Sequence, residues 1–455
     1  MTDRALVIGL DGMPRSLLHR LIDQGVVPCL AGVVAESGCA ELVAPVPEIS
    51  STSWASFLTG VNPGRHGIYG FVDLEPGGYR TYFPNVADLQ APPLWEHAAA
   101  HGLDTVCLNV PGSYPAPAIQ GTLVSGFVAP SLDKAVQPRW LVEPLRRLNY
   151  ELDVEVGDVR ADPAGFVARV RRSLSARTKA FRHLLGTRPW DVAIAVFTET
   201  DRLQHFLWRA VDDPADPLHE ATMEFYREVD DAVAEVLACA PGVRPILVSD
   251  HGFGPATCQF YVNAWLRSRG WLAPVADTPK LSEVDGDSRV FALDPARFYV
   301  HRAGRFPRGT LSDAAADDLA AEVATALRAL RWSGTDIGPE VDGPPVFDEV
   351  LSGAAAYHGP VSAQAPDIVA VPARGVQARG AWPATDLVAP DVLTGTHTRG
   401  DAVLSVPGGT VAGQADMTDV APTVLAAVGV PAPDLDGRDV AAVRSTLETV
   451  SGGNS

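Results

Sequence analysis

Ile246-Leu247-Val248-Ser249-Asp250-His251-Gly252 reads as a short apolar strand that stops at a carboxylate and an imidazole standing side by side. The apolar run fits a buried strand, and Gly252 predicts a turn after it. In an open parallel sheet the strand ends line the crevice where ligands bind. An Asp-His pair at such an end is half of a metal site, provided that other strand ends deliver the remaining ligands.

Two further apolar runs make that case. Ala5 to Leu10 predicts a first strand ending at Asp11. Taken alone, an Asp there is more often a turn former or helix cap than a ligand. Asp191 to Phe197 predicts a second strand, followed by Asp201 and, four residues on, His205. On a helix that spacing stacks the imidazole over the carboxylate. A helix over 216–239 then leads into the Ile246 strand. Strand, helix, strand predicts parallel strands with a right-handed crossover. Asp201 and Asp250 should therefore leave the sheet at the same edge.

Trp54, Phe57 and Leu58 sit at helical spacing before Gly60, so Ser50, Ser51 and Thr52 fall at a helix N-terminus. A hydroxyl there is either a cap or a nucleophile whose anionic product the helix end stabilises. His66, between turn residues, reads as a brace for its loop and is left out of the ligand set. His397, in the Gly-bounded loop Thr394 to Gly400, is by itself an ordinary loop histidine. The Arg and Lys residues of a long helix over 161–185 are expected to face solvent. Arg65, Arg202 and Arg399 are expected near the site, each equally explicable as a surface arginine.

The chain has 455 residues, 46% hydrophobic and 20% charged, with a formal charge of −19. Such acidity argues against nucleic acid and anionic membrane as partners. An anionic substrate then needs local cations, which metal ions would supply. The cysteines Cys29, Cys39, Cys107, Cys239 and Cys258 are scattered and odd in number, which predicts neither a disulfide framework nor a thiolate zinc site. The first apolar run is too short for a signal peptide, and no run reaches membrane-spanning length, so a soluble cytoplasmic protein is expected. The elements predict an α/β fold with a mainly parallel central sheet flanked by helices. Residues 1–255 form the first part of a metal-binding core, 256–390 an inserted cap, 391–446 the rest of the core, and 447–455 a disordered tail.

Leu10-Asp11-Gly12, Trp54 to Thr59-Gly60 with Pro63 and His66-Gly67-Ile68, Asp201-x-x-x-His205, Ser249-Asp250-His251-Gly252, Gly395-x-His397 and Asp419-x-Ala421-Pro422-Thr423 occur in one order. As a set they resemble the alkaline phosphatase superfamily, and within it the type I phosphodiesterase/nucleotide pyrophosphatase group and its phosphohydrolase or phosphomutase relatives. The resemblance implies one metal on Asp201, His205 and His397, and a second on Asp11, Asp250 and His251. It places the nucleophile, which also touches the second metal, on Ser50, with Ser51 and Thr52 close by. Mixed imidazole and carboxylate ligands suit Zn2+, with Mn2+ or Fe2+ as alternatives. Two dications against three aspartates leave about one positive charge, which a serine alkoxide would cancel. The expectation is hydrolysis of a phosphodiester, pyrophosphate or phosphomonoester of a small anionic metabolite through a phosphoseryl intermediate. A phosphomutase, or a metal-binding protein without catalysis, is the alternative. The group carries an Asn after its His-Gly motif where this chain has Phe71, which argues against nucleotide-type diesterase specificity. Ser50-Ser51-Thr52-Ser53-Trp54 lacks the sulfatase pattern.

Overall fold

The computed structural model describes residues 4–273, 281, 284, 286–333, 336–382, 384–389, 393–408, 414–432 and 434–441. The expected tail from 447 onward lies outside the described residues.

Ala5–Leu10, Val192–Phe197 and Ile246–Val248 are buried at every position, as strands covered on both faces must be. Ala5–Leu10 lies between the other two and is parallel to both. The expected parallel pair is thus present, with the first strand inserted between its members. Leu10 is opposite Phe197, and Gly9 opposite Val248, so the three strands end together at one edge. Thr105–Val110 and Gly121–Ser125 extend the parallel set. Ala402–Ser405 joins Ile246–Val248 antiparallel on the other side, within a nine-stranded sheet.

Side chains alternate across the sheet. Leu6, Ile8 and Leu10 pack against the long helices Pro163–Thr187 and His219–Leu237, through residues such as Phe166, Phe181, Phe225 and Tyr226. Val7 and Ile194 face the other way, onto Trp54 and Phe57 of Ser50–Thr59 and Val424 of Val420–Ala427. The Ser50–Thr59 helix stops as expected at Gly60, whose φ of 65° is left-handed and whose N–H donates to the Ser56 carbonyl. The architecture is the expected α/β fold.

Three expectations fail, the first being the loop over Thr394 to Gly400, where Gly395–Thr398 is a strand. Gly252 does not turn the chain; it opens a ten-residue strand, Gly252–Tyr261. That strand pairs antiparallel with Gly395–Thr398, placing Phe253 opposite His397. A Cβ at Gly252 would collide with the carbonyl oxygen of Gly400, so the glycine serves close backbone approach. The basic residues of Pro163–Thr187 do not all face solvent either. Arg177 is 1% exposed and bonds Glu199, itself wholly buried, at 2.7 Å.

Beyond Tyr261, Val290–Leu293, Arg297–Val300, Ile368–Pro372 and Phe347–Ser352 form a separate antiparallel sheet. Leu319, Val323 and Leu327 of Asp313–Ala329 join Phe298 and Val350 in its own core. Ser312 caps that helix as expected. Gly375–Arg379 runs parallel to the second half of Gly252–Tyr261 and links this region to the site. Among the described residues no single helix is long and apolar enough to cross a membrane.

Candidate active site

The shared edge of the three central strands carries the carboxylates. Asp11 follows Leu10 directly, and Asp250 lies two residues beyond the Ile246–Val248 strand. Asp201 sits in the first turn of the helix Glu199–Asp212, where the dipole favours a negative side chain. His205 lies on the same helix, its Nε2 3.3 Å from Asp201 Oδ1. His397 Nε2 lies 3.3 Å from the same oxygen and 3.0 Å from His205 Nε2. His251 Nε2 is 3.3 Å from Asp250 Oδ2 and 3.9 Å from Asp11 Oδ1. Its ring stacks on that of His397 at 3.6 Å. The six residues that the resemblance implies as ligands are therefore brought together at one edge.

Each of the three imidazoles is held by its far nitrogen. Nδ1 of His205, His251 and His397 donates to the carbonyl of Gly395, Gly252 and Glu48, at 3.2, 3.0 and 3.0 Å. A carbonyl only accepts, so Nδ1 carries the proton and Nε2 turns a lone pair inward. Three lone pairs and three carboxylates thus face one small volume. Asp11 Oδ1, Asp201 Oδ1 and Asp250 Oδ2 are buried there without a hydrogen-bond donor. Unpartnered buried carboxylate oxygens are costly, and this donor set is the kind that holds divalent cations. The ligand atoms of Asp201, His205 and His397 lie within 4.8 Å of one another, as do those of Asp11, Asp201 and His251. Asp201 thus stands in both groups, where the resemblance had implied only the first.

The electrostatics fit this crowding. Burial, then the charges of Asp250 and Asp201, push the Asp11 carboxyl well above its usual range. Burial, with Asp201 again, raises Asp250 to about 6 against the pull of the Gly12 N–H. Burial would raise Asp201 too, but in the metal-free chain the positive charge of His205 and His397, when they protonate on Nε2, holds it well below the usual carboxylate range. The remaining oxygens are anchored: Trp54 Nε1 donates to Asp11 Oδ2 at 3.1 Å, and Gly12 N to Asp250 Oδ1 at 3.0 Å. Neither anchor is legible in the sequence, where Trp54 stands as an apolar helix position and a member of the motif set.

Ser50 Oγ lies 3.2 Å from His251 Nε2, at the first residue of its helix. Ser51 and Thr52 have buried hydroxyls; Ser51 opens onto a neighbouring pocket of about 250 Å³ with Phe83 and Pro111. Ser50, Asp201, His205 and His397 instead line a cleft of about 520 Å³. Phe71 and Phe127 stack between cleft and pocket, with centroids 5.2 Å apart.

Of the three arginines expected near the site, only Arg202 lines the cleft; it forks onto Asp153 at 2.9 and 2.7 Å. Arg65 bonds Asp436, and Arg399 bonds Glu349. His66 braces its loop as expected, accepting from Ile68 N at Nδ1 and donating from Nε2 to Ser56 Oγ. The sequence reading passed over Glu48, whose carboxyl lines the cleft and is pushed by burial up to about 7. No periodicity marks that residue, because it lies in the extended approach to the helix.

A family model described as type I phosphodiesterase / nucleotide pyrophosphatase matches residues 5–398. No protein of curated function matches the chain in sequence. Among solved structures, phosphonoacetate hydrolase from Sinorhizobium meliloti in complex with phosphonoacetate is similar at a TM-score of 0.61 and 17% identity, over 94% of this chain and 96% of that one. Murine ectonucleotide pyrophosphatase / phosphodiesterase 5 is similar at 0.54 and 14%, over 95% and 97%. Both share the fold. With the match running from the first strand of the sheet through His397, the chain belongs to the type I phosphodiesterase / nucleotide pyrophosphatase family of hydrolases, in the alkaline phosphatase superfamily.

Proposed function

We propose that the protein hydrolyses a phosphoester or phosphoanhydride bond of a small metabolite at a two-metal site, with Ser50 as nucleophile. The observation that carries this reading is the inward convergence of three Nε2 lone pairs and three carboxylates beside one serine hydroxyl. Asp201, His205 and His397 would hold one divalent ion, and Asp11, Asp250 and His251 the other, with zinc as the first choice for these donors. Such ions, when bound, polarise the phosphoryl oxygens and lower the pKa of a neighbouring hydroxyl.

Ser50 Oγ attacks phosphorus as the bond to the leaving oxygen breaks in line, giving a phosphoseryl group and the released alcohol or phosphate. The N-terminus of Ser50–Thr59 faces the incoming negative charge. Water then attacks the same phosphorus from the opposite side, and Ser50 leaves as the hydroxyl. The carbonyls of Gly395, Gly252 and Glu48 keep the imidazoles oriented throughout. The substrate is small and anionic; nucleic acid polymer and membrane are not partners in this reading. The chain's cysteines are free, which fits action in the reducing cytoplasm.

The test is turnover of aryl phosphate monoesters and diesters after loading with zinc or manganese. Ser50→Ala should lower kcat on the order of a thousandfold. Unchanged turnover by that variant would remove Ser50 from the mechanism.

A further inference from the structure

Arg379 and Gln377 line the cleft from a different part of the chain than the carboxylates and imidazoles. Both belong to the strand Gly375–Arg379. Being two residues apart they share a face, roughly 6–7 Å apart along the strand. Gln377 is held by its neighbours: the Tyr261 hydroxyl donates to Gln259 Oε1 at 2.8 Å, and Gln259 Nε2 donates to Gln377 Oε1 at 3.4 Å. That order leaves the Gln377 NH2 as a spare donor. Arg379 has no acidic partner among the described residues, whereas Arg202, the other arginine of the cleft, is engaged by Asp153. The Asp294 carboxylate at the same wall already accepts from the Gly380 N–H.

We infer that Arg379 and Gln377 form a second anion-recognition site, which selects phosphorylated substrates carrying a further carboxylate or phosphate on the group attached to phosphorus. This deepens the two-metal phosphohydrolase reading and rests on it. A cleft of about 520 Å³ holds much more than a phosphoryl group, and ligand sites of this size add a few placed polar groups for orientation. The chain's net charge of −19 repels a polyanion, so a cleft cation with no acidic partner among the described residues has a specific use. A planar guanidinium beside an amide N–H2 matches the spread oxygens of a carboxylate or phosphate.

The experiment uses the zinc-loaded protein and calorimetric titration with two probe pairs. 3-Phosphonopropionate is compared with ethylphosphonate, and propane-1,3-bisphosphonate with propylphosphonate, so each pair differs by one anion. The second anion should tighten binding about 10- to 100-fold, and Arg379→Gln should abolish most of that gain, with Arg379→Lys restoring part of it. The stronger of the two pairs tells carboxylate from phosphate. Equal affinity within both pairs, or a gain that survives Arg379→Gln, overturns the second site. If the simple phosphonates fail to bind at all, the two-metal reading fails instead, and an Arg379-dependent signal from the doubly anionic probes alone would keep the second site. Silence from every probe overturns both. In parallel, kcat/KM for 4-carboxyphenyl phosphate relative to phenyl phosphate should fall at least tenfold in Arg379→Gln; an unchanged ratio counts against the inference.

Discussion

Two groups of buried charges lie within one helix turn of each other and are built on opposite terms. Glu199 opens the helix Glu199–Asp212, and its carboxylate is met by Arg177 at 2.7 Å and the Ser173 hydroxyl at 2.7 Å. Two residues later, Asp201 turns to the other side and meets imidazoles, with Asp11 and Asp250 crowding behind it. The first group has a cation of its own. The second has three carboxylate oxygens left without donors, against the single Glu199 Oε2 of the first, and imidazole nitrogens aimed at one another. A fold tolerates such crowding where an outside cation is meant to relieve it, because burying unpaired charge otherwise costs several kcal/mol. On the proposed function, the difference separates a charge cluster that supports structure from one that supports chemistry.

The largest expected effect breaks the second group. Asp201 stands in both sets of ligand atoms, so Asp201→Asn should lower kcat/KM on the order of a thousandfold and cut metal content, read by turnover and elemental analysis. Next, breaking the first group should cost stability. Arg177→Met leaves Glu199 buried and uncompensated, and should lower the unfolding free energy by about 3–5 kcal/mol in urea. Replacing both, as Arg177→Met with Glu199→Leu, should recover most of that loss if the pair is structural.

Neutralising a member of the second group should act with the opposite sign. In the metal-free chain burial and the Asp201 charge raise Asp250 to about 6 from 3.8. Between those values the folded chain binds the extra proton, so this carboxyl destabilises the fold above about pH 6 and the penalty fades as pH falls. Asp250→Asn should therefore stabilise the metal-free protein at pH 7 by on the order of 1–3 kcal/mol while abolishing activity. A destabilised variant would show that the two groups are not distinct in kind. The effect confined to acid, and the smallest at neutral pH, comes from His66, which burial depresses to about 3. Its unfolded pKa is near 6.5, so between about 6.5 and 3 the unfolded chain holds the extra proton and stability falls as pH falls. His66→Gln should flatten the urea-stability profile in that window by up to about 1.4 kcal/mol per pH unit.

Much of the site was legible because it hangs on strand ends. Asp11, Asp201 and Asp250 each follow an apolar run, and parallel strands in register bring their ends to one edge. His397 was legible only through the resemblance to a family. Gly252 looked like a stop because glycine marks both a turn and a close approach, and only the neighbouring Gly395–Thr398 strand tells them apart. Not every residue in the family's motifs does chemistry. Asp419 accepts from the N–H groups of Asp416 and Arg438, and His66 bonds Ser56, so both brace the frame. Arg177 carried the same outward-looking label as its neighbours, since helical spacing shows which residues share a face but not what waits opposite them.

Hydrophobic periodicity by itself determined the parallel core, the edge that carries the acids and the helix that starts at Ser50, because these depend on residues near one another in the chain. The opening of Ser50, and not Ser51 or Thr52, onto the cleft beside His251, the sharing of Asp201 between both ligand groups, and the placing of Arg379 in the wall of the same cleft were decided only by the tertiary structure. Those features depend on distances between segments hundreds of residues apart, and pairing register, which sets such distances, is a property of two strands at once.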